Sequence, residues 1–181
     1  MTFFRILILN IALLISVASA QRPFTMTVLE VRDIQRGAGL AIVMQTPTGK
    51  TYLYDTGSGY PERLSSDGWQ ANYNAGRDTV MPFLEKHGVK ELDGVLISHA
   101  HYDHFGGLVW LADHFPVKRL IDSGYIFEGI ADGNYTGELG HYNKLRDSFK
   151  QRGLHQAAFA GDNLDLDPEL KVEVIAPPKT Y

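Results

Sequence analysis

The alternation of apolar and polar positions predicts strands in the early part of the chain. Residues 24–32 alternate in part and contain many β-prone side chains, which is typical of a strand. Residues 40–45 and 51–54 are two further apolar stretches, and the Pro-Thr-Gly-Lys sequence at 47–50 is typical of a hairpin turn. We therefore expect these segments to pair as antiparallel strands.

Farther along the chain, predicted helices alternate with predicted strands. Asp78 is a potential N-cap for a helix over residues 78–88, because apolar side chains recur on one face of that segment. The same patterns predict, in order, a strand at 94–98, a helix at 105–114, a strand at 117–121, a helix at 141–152 and a strand at 170–176. This succession predicts an α/β (α+β) fold, in which helices pack on a mixed sheet.

The first twenty residues have the pattern of a secretory signal. Arg5 supplies a positive charge, residues 6–17 are mostly apolar, and Ala18-Ser19-Ala20 is a small-residue cleavage pattern. The apolar run is too short to span the hydrocarbon core of a bilayer. We expect residues 1–20 to be a signal peptide and residues 21–181 to be one exported domain with no membrane anchor, secreted or periplasmic.

Composition limits the classes of function that remain. The chain has 181 residues, of which 44% are hydrophobic and 21% are charged, as in an ordinary globular domain. It contains no cysteine, which excludes disulfides, thiolate metal ligands and a cysteine nucleophile. The net charge of -4 does not favour nucleic acid as a partner, although it leaves one possible. The oligomeric state is left open.

One short segment concentrates side chains that can bind metals. Residues 97–107 contain His99, His101, Asp103 and His104 in the spacing H-x-H-x-D-H. Imidazole nitrogens and carboxylate oxygens suit zinc, iron or manganese. In an extended loop His99 and His101 would point to one side, and the adjacent Asp103 and His104 could serve a second position nearby. Two metals could then share a hydroxide that acts as a nucleophile at neutral pH.

These residues resemble the hallmark of the metallo-β-lactamase superfamily. The motif continues into Gly106-Gly107, and an earlier predicted strand ends in Asp55-Thr56-Gly57. The order of strands, turns and motifs over residues 25–178 is similar to that of stand-alone ComEC-like hydrolases, which are related to a domain of a DNA-uptake protein. The resemblance implies an αββα sandwich with mixed sheets. It also implies that residues 21–181 are the N-terminal part of that domain, incomplete at the C-terminus.

The resemblance also implies roles for the matching residues. His99 and His101 would hold a first zinc ion, and Asp103 and His104 a second, with iron or manganese as alternatives. Asp103 would also act in catalysis by orienting the attacking hydroxide. Asp55 would be a buried partner that fixes the motif loop by hydrogen bonds. His141 is a candidate further ligand, and the alternative is an exposed residue near a helix N-terminus.

Three functions stay open on the sequence. The first is an exported metal-dependent hydrolase whose metal-bound hydroxide attacks a phosphodiester or an acyl bond of a lactam, lactone or thioester. The second is a non-catalytic or degenerate metal-binding domain. The third is an aspartic protease that uses Asp55, since Asp55-Thr56-Gly57-Ser58 follows apolar residues and Asp122-Ser123-Gly124 could be a second copy.

Overall fold

A computed structural model describes residues 22–31, 39–59, 73–125 and 137–179, apart from the side chains of residues 137 and 138. The predicted signal peptide, residues 1–20, lies outside the described residues. Within these ranges no helix is long and apolar enough to cross a membrane.

Within the described residues six strands form one mixed sheet, which confirms the predicted fold class. The strands are β1 (Thr25–Val28), β2 (Ala41–Gln45), β3 (Thr51–Thr56), β4 (Gly94–Leu96), β5 (Leu120–Asp122) and β6 (His155–Ala157). Their spatial order is the same as their order along the chain. Strands β1, β2 and β3 pair antiparallel, whereas β3, β4, β5 and β6 pair parallel. The sequence analysis did not predict β6, because a three-residue segment with one apolar side chain is too short to show an alternation of apolar and polar residues.

The helices contribute to a single core with one face of the sheet. They are α1 (Met81–Lys86), which continues a π-helical turn at Gly76–Val80, α2 (Tyr102–His114) and α3 (Gly137–Gln151). Leu84 of α1, Leu108 of α2 and Phe149 of α3 are buried there with Leu53 and Val95 of the sheet. Removing these apolar side chains from water stabilises the packing of helices against sheet.

The predicted starts of all three helices differ from the structure, and α3 begins at Gly137 instead of at residue 141. The first helical segment begins at Gly76, and Asn74 lies just before it, where its side-chain oxygen accepts a hydrogen bond from the Arg77 backbone N–H at 3.1 Å. Asp78 lies inside that segment and accepts the Asn74 N–H at 2.9 Å. Helix α2 begins at Tyr102, three residues before the predicted start at Phe105.

The predicted strand at 170–176 is absent from the sheet. Its alternating pattern comes instead from an irregular pairing with residues 162–164, in which Leu164 donates to the Val172 carbonyl and Val174 donates to the Asp162 carbonyl, both at 2.8 Å. Val172 and Val174 pack with Leu164 against the face of the sheet that carries no helix. This segment is held there partly by Tyr52, whose hydroxyl donates to the Leu166 carbonyl at 2.7 Å.

The parallel strands bring separate parts of the sequence to one edge. Strand β3 ends beside Asp55, the H-x-H-x-D-H segment follows β4, and β5 ends at Asp122. Because parallel strands have their carboxyl ends on the same side, these residues converge there. In open α/β sheets this edge is the usual place for ligands.

Candidate active site

Asp55 is the buried centre of the hydrogen bonds beneath the motif. Its side chain is fully inaccessible to solvent. One carboxylate oxygen accepts the Ser98 backbone N–H, and the other accepts the Ser98 hydroxyl and Nδ1–H of His104, all at 2.7 Å. The backbone of Asp55 has φ 55°, a left-handed conformation in which Asp is among the better tolerated residues. The strand end thus places a carboxylate where it can orient the motif.

Thr56 connects the same strand end to helix α2. Its hydroxyl donates to the His104 carbonyl and accepts the Leu108 N–H, both at 2.9 Å. The helix approaches so closely that a Cβ on Gly107 would lie 2.2 Å from the Thr56 carbonyl oxygen, and one on Gly106 would lie 2.4 Å from the Gly59 nitrogen. Only glycine allows this approach, which explains why two glycines follow the motif.

The three motif histidines lie against one another. The ring centroid of His99 is 4.6 Å from that of His101 and 4.1 Å from that of His104. Nε2 of His104 is 3.6 Å from a carboxylate oxygen of Asp103. His101 is the extended residue before α2, and Asp103 and His104 fall in the first helical turn instead of the extended loop we expected.

The side-chain types of the motif suit a metal ion, but their positions do not form a complete set of metal ligands. Three imidazoles and a carboxylate gathered at one strand end are the ligands that zinc prefers in the absence of thiolates. Across the described ranges, however, no group of three or more His, Cys, Asp or Glu side chains stands ready to hold a metal ion. A metal at this site is therefore a proposal, which we take up below.

The electrostatic surroundings favour the neutral form of His99. Burial lowers the pKa of this imidazole below its usual range, and the neighbouring imidazoles of His104 and His101 lower it further. The carboxylates of Asp55 and Asp103 oppose the change without reversing it. A neutral imidazole offers the lone pair that a metal ligand needs.

His141 lies on α3, half-buried, one residue before Tyr142. Tyr142 faces the core and stacks on Phe105, with ring centroids 4.6 Å apart. Successive residues of a helix are about 100° apart around its axis, so His141 points in another direction. Within the described chain His141 belongs to no group of three potential ligands. Its assignment as a ligand remains a prediction.

The remaining histidines have partners of their own. His87 and His114 are exposed at helix ends, and their ring Nδ1 atoms lie 2.8 Å from the carbonyl oxygens of Phe83 and Trp110. Nε2 of His155 lies 2.8 Å from Asp122.

Asp122 anchors a second polar cluster that the sequence analysis did not assign to the site. Its carboxylate accepts the Tyr142 hydroxyl at 2.5 Å and the Gly124 N–H at 2.7 Å, in addition to its contact with His155. Burial tends to raise the pKa of Asp122, but hydrogen bonds from His155 and Tyr142 outweigh it and the pKa is lowered. Asp122 is therefore a buried carboxylate whose oxygens already accept several hydrogen bonds.

Arg146 is the other functional candidate that sequence reasoning missed. Its side chain is only 2% exposed. It donates to the Tyr125 carbonyl and to the Asn143 side-chain oxygen, both at 2.9 Å. The sequence did contain an indication that Arg146 is buried. Its spacing from Tyr142 and Phe149 places it on the same buried face of α3.

A cavity of about 450 Å³ joins the two clusters. Its lining includes Ser98 and His99 of the first cluster, Asp122 and Arg146 of the second, and residues 175–177. This volume is within the range of small-molecule sites.

Both carboxylates required by the aspartic protease alternative are buried and already accept hydrogen bonds from neighbouring residues. Asp55 is fully inaccessible, and Asp122 is 6% exposed. Asp55 holds Ser98 and His104, and Asp122 holds Tyr142, Gly124 and His155, so neither is presented to a peptide. A protease dyad needs two carboxylates that share a proton. The structure therefore argues against this alternative.

Comparisons with known proteins agree with the geometry. ComE operon protein 3 of Bacillus subtilis (strain 168) is 34% identical over 100 residues, which cover 53% of this chain and 12% of that protein. The Anti-Pycsar protein Apyc1 of Paenibacillus sp. (strain J14) is 37% identical over 102 residues, covering 50% of this chain and 38% of that protein. The protein of the same name from Saccharibacillus brassicae is 29% identical over 124 residues, covering 62% and 48%.

The chain thus spans less than half the length of each of these relatives. The similarity to ComE operon protein 3 confirms the ComEC-like resemblance. The model of the metallo-beta-lactamase superfamily matches residues 34–179, which is well over half of the chain. The chain therefore belongs to the metallo-beta-lactamase superfamily.

Proposed function

We propose that this protein is an exported metal-dependent hydrolase that cleaves a phosphodiester. The observation that carries the proposal is the anchoring of the motif by Asp55, because its two oxygens fix both Ser98 and His104 at the carboxyl edge of the sheet. The cavity beside His99 gives a substrate access to that edge. Membership of a superfamily of hydrolases supports hydrolysis in general.

The motif residues would hold the metal. His99 and His101 are the proposed ligands of a first ion, and Asp103 and His104 those of a second, with His141 as a candidate further ligand. Zinc is the expected metal, and iron or manganese are alternatives. When bound, such an ion supplies Lewis-acid activation of water and of the substrate oxygen.

Asp55 and Ser98 would act by orienting the motif histidines. The Nδ1–H of His104 donates to Asp55, which leaves Nε2 of that ring as the atom with the free lone pair. Nδ1 of His99 lies 2.9 Å from the Ser98 hydroxyl, so its ring is also tied to the Asp55 cluster. Each ring can then present its Nε2 toward the open side of the sheet edge.

A phosphodiester is favoured over the other substrates by the similarity to ComEC-like proteins and to the two Anti-Pycsar proteins. The acidic composition does not favour nucleic acid, so a small phosphodiester is the first candidate. Lactams, lactones and thioesters are the remaining candidates. The signal-peptide pattern of residues 1–20 supports the proposal of export.

Hydrolysis of bis(p-nitrophenyl) phosphate by the full chain with added zinc tests the proposal. We expect activity that a chelator removes and that His101→Ala reduces at least a hundredfold, since one missing ligand disables the metal. His87→Ala is the matched control, because His87 is an exposed histidine on another helix. Equal activity in the His101→Ala variant would contradict the proposal.

A non-catalytic metal-binding domain is the second candidate. The observation in its favour is that, over the residues described, no three His, Asp or Glu side chains are placed so that they could hold a metal ion, whereas a catalytic zinc usually has three protein ligands. This alternative predicts bound metal without hydrolysis of phosphodiester, lactam, lactone or thioester probes. Chelator-sensitive turnover of any of these probes excludes it.

A further inference from the structure

Arg146 carries a buried charge that its neighbours compensate only in part. Its guanidinium donates to two neutral oxygens, the Tyr125 carbonyl and the Asn143 amide. Its Nε is buried and has no hydrogen-bond partner among the described residues. A buried N–H without an acceptor is destabilising, and more so in a charged group. This unfavourable burial points to a functional role for Arg146.

The carboxylate of Asp122 does not satisfy the guanidinium. An oxygen of Asp122 is 3.8 Å from the Arg146 nitrogen, which is beyond hydrogen-bond distance. That carboxylate already accepts hydrogen bonds from Tyr142 and Gly124 and contacts His155. Asp122 therefore lowers the electrostatic cost of burying Arg146 but leaves the Nε–H donor without an acceptor.

The position of Arg146 suggests a ligand for its guanidinium group. Arg146 lines the same cavity as His99, so the positive charge borders the space next to the proposed metal ligands. Arginine binds phosphate and carboxylate groups through several N–H donors at once. The rim of the cavity carries two large exposed side chains, Tyr125 and Ile175, which suit the uncharged part of such a ligand.

We propose that the cavity beside His99 is an oxyanion subsite in which Arg146 selects a phosphate group of the substrate. This inference rests on the proposed hydrolase function, since it assigns Arg146 to the substrate of that reaction. Arg146 here determines specificity and does not take part in bond cleavage. The sequence motif alone would not distinguish phosphate esters from neutral acyl substrates, whereas this subsite does.

Binding of inorganic phosphate to the full chain, measured calorimetrically with chelator present, tests the subsite without the metal. We expect Arg146→Gln to weaken phosphate binding about tenfold or more. Arg146→Lys should restore it only in part, because lysine keeps the charge without the Nε–H and the planar fork. Arg152→Gln is the matched control, since Arg152 is an exposed arginine that follows the same helix and should leave binding unchanged.

A double variant, Asp122→Asn with Arg146→Gln, guards against misfolding, because it removes both buried charges together. Equal phosphate binding by wild type and both Arg146→Gln proteins, or tighter binding of acetate than of phosphate, would overturn the assignment. Loss of binding in folded Arg146→Gln supports it even if no hydrolysis is found. Chelator-sensitive hydrolysis together with unaltered phosphate binding would remove the subsite and leave the proposed function standing.

Discussion

At the residue scale, the geometry of the site depends most on Asp55. A single buried carboxylate holds the backbone and side chain of Ser98 and the ring of His104. Hydrogen bonds to ionised groups are stronger than those between neutral groups, and a buried charge is costly when a partner is removed. Asp55 therefore links the end of β3 to the motif energetically as well as geometrically.

Asp55→Asn should lower the free energy of unfolding by about 1–3 kcal/mol. Asparagine tolerates the left-handed backbone as well as aspartate does, so the change isolates the carboxylate. Its NH₂ group would face the N–H and O–H donors of Ser98 and His104, which need acceptors. Urea unfolding measures the effect, with the exposed Asp113→Asn on α2 as control. Unfolding at the same urea concentration as wild type would show that the carboxylate is not needed.

At the element scale, the approach of α2 to the sheet sets the position of the motif. The helix begins at Tyr102 and not at Phe105, because the hydroxyl of Thr56 and the two glycines let its first turn reach the end of β3. A helical pattern in the sequence shows apolar periodicity, which begins only with the buried Phe105. The polar first turn that carries Asp103 and His104 has no such period.

Gly107→Ala should destabilise the fold despite the better helix propensity of alanine. Its Cβ would lie 2.2 Å from the backbone oxygen of Thr56. Neither the helix nor the strand can yield easily, so we expect a loss near the upper end of the usual overpacking range of about 1–3 kcal/mol. Thermal unfolding measures this.

Gly88→Ala is the control for that substitution. A Cβ on Gly88 would meet nothing within 4 Å, although the φ of +71° is unfavourable for alanine. Its cost should be limited to about 1–2 kcal/mol of backbone strain. If Gly107→Ala were as stable as wild type, the close approach of helix and strand would not hold.

At the scale of the whole molecule, the sequence predicted the mixed sheet and all three of the described α-helices, because their apolar periods are long enough to recognise. It did not predict β6, which has three residues. It misassigned residues 170–176, whose alternation reflects an irregular pairing above the sheet. The local motif was visible because its residues are adjacent in sequence. Asp122 and Arg146 were not assigned to the site, since only the parallel order of β4 and β5 and the packing of α3 bring them to it.

The metal content of the purified full chain tests the central claim most directly. Mass spectrometry after dialysis against trace zinc should find about two zinc ions per wild-type chain. His101→Ala should lose at least one of them, whereas His87→Ala should retain both. Equal zinc in wild type and His101→Ala, or none in a folded wild-type chain, would contradict the assignment of the H-x-H-x-D-H segment as a metal centre.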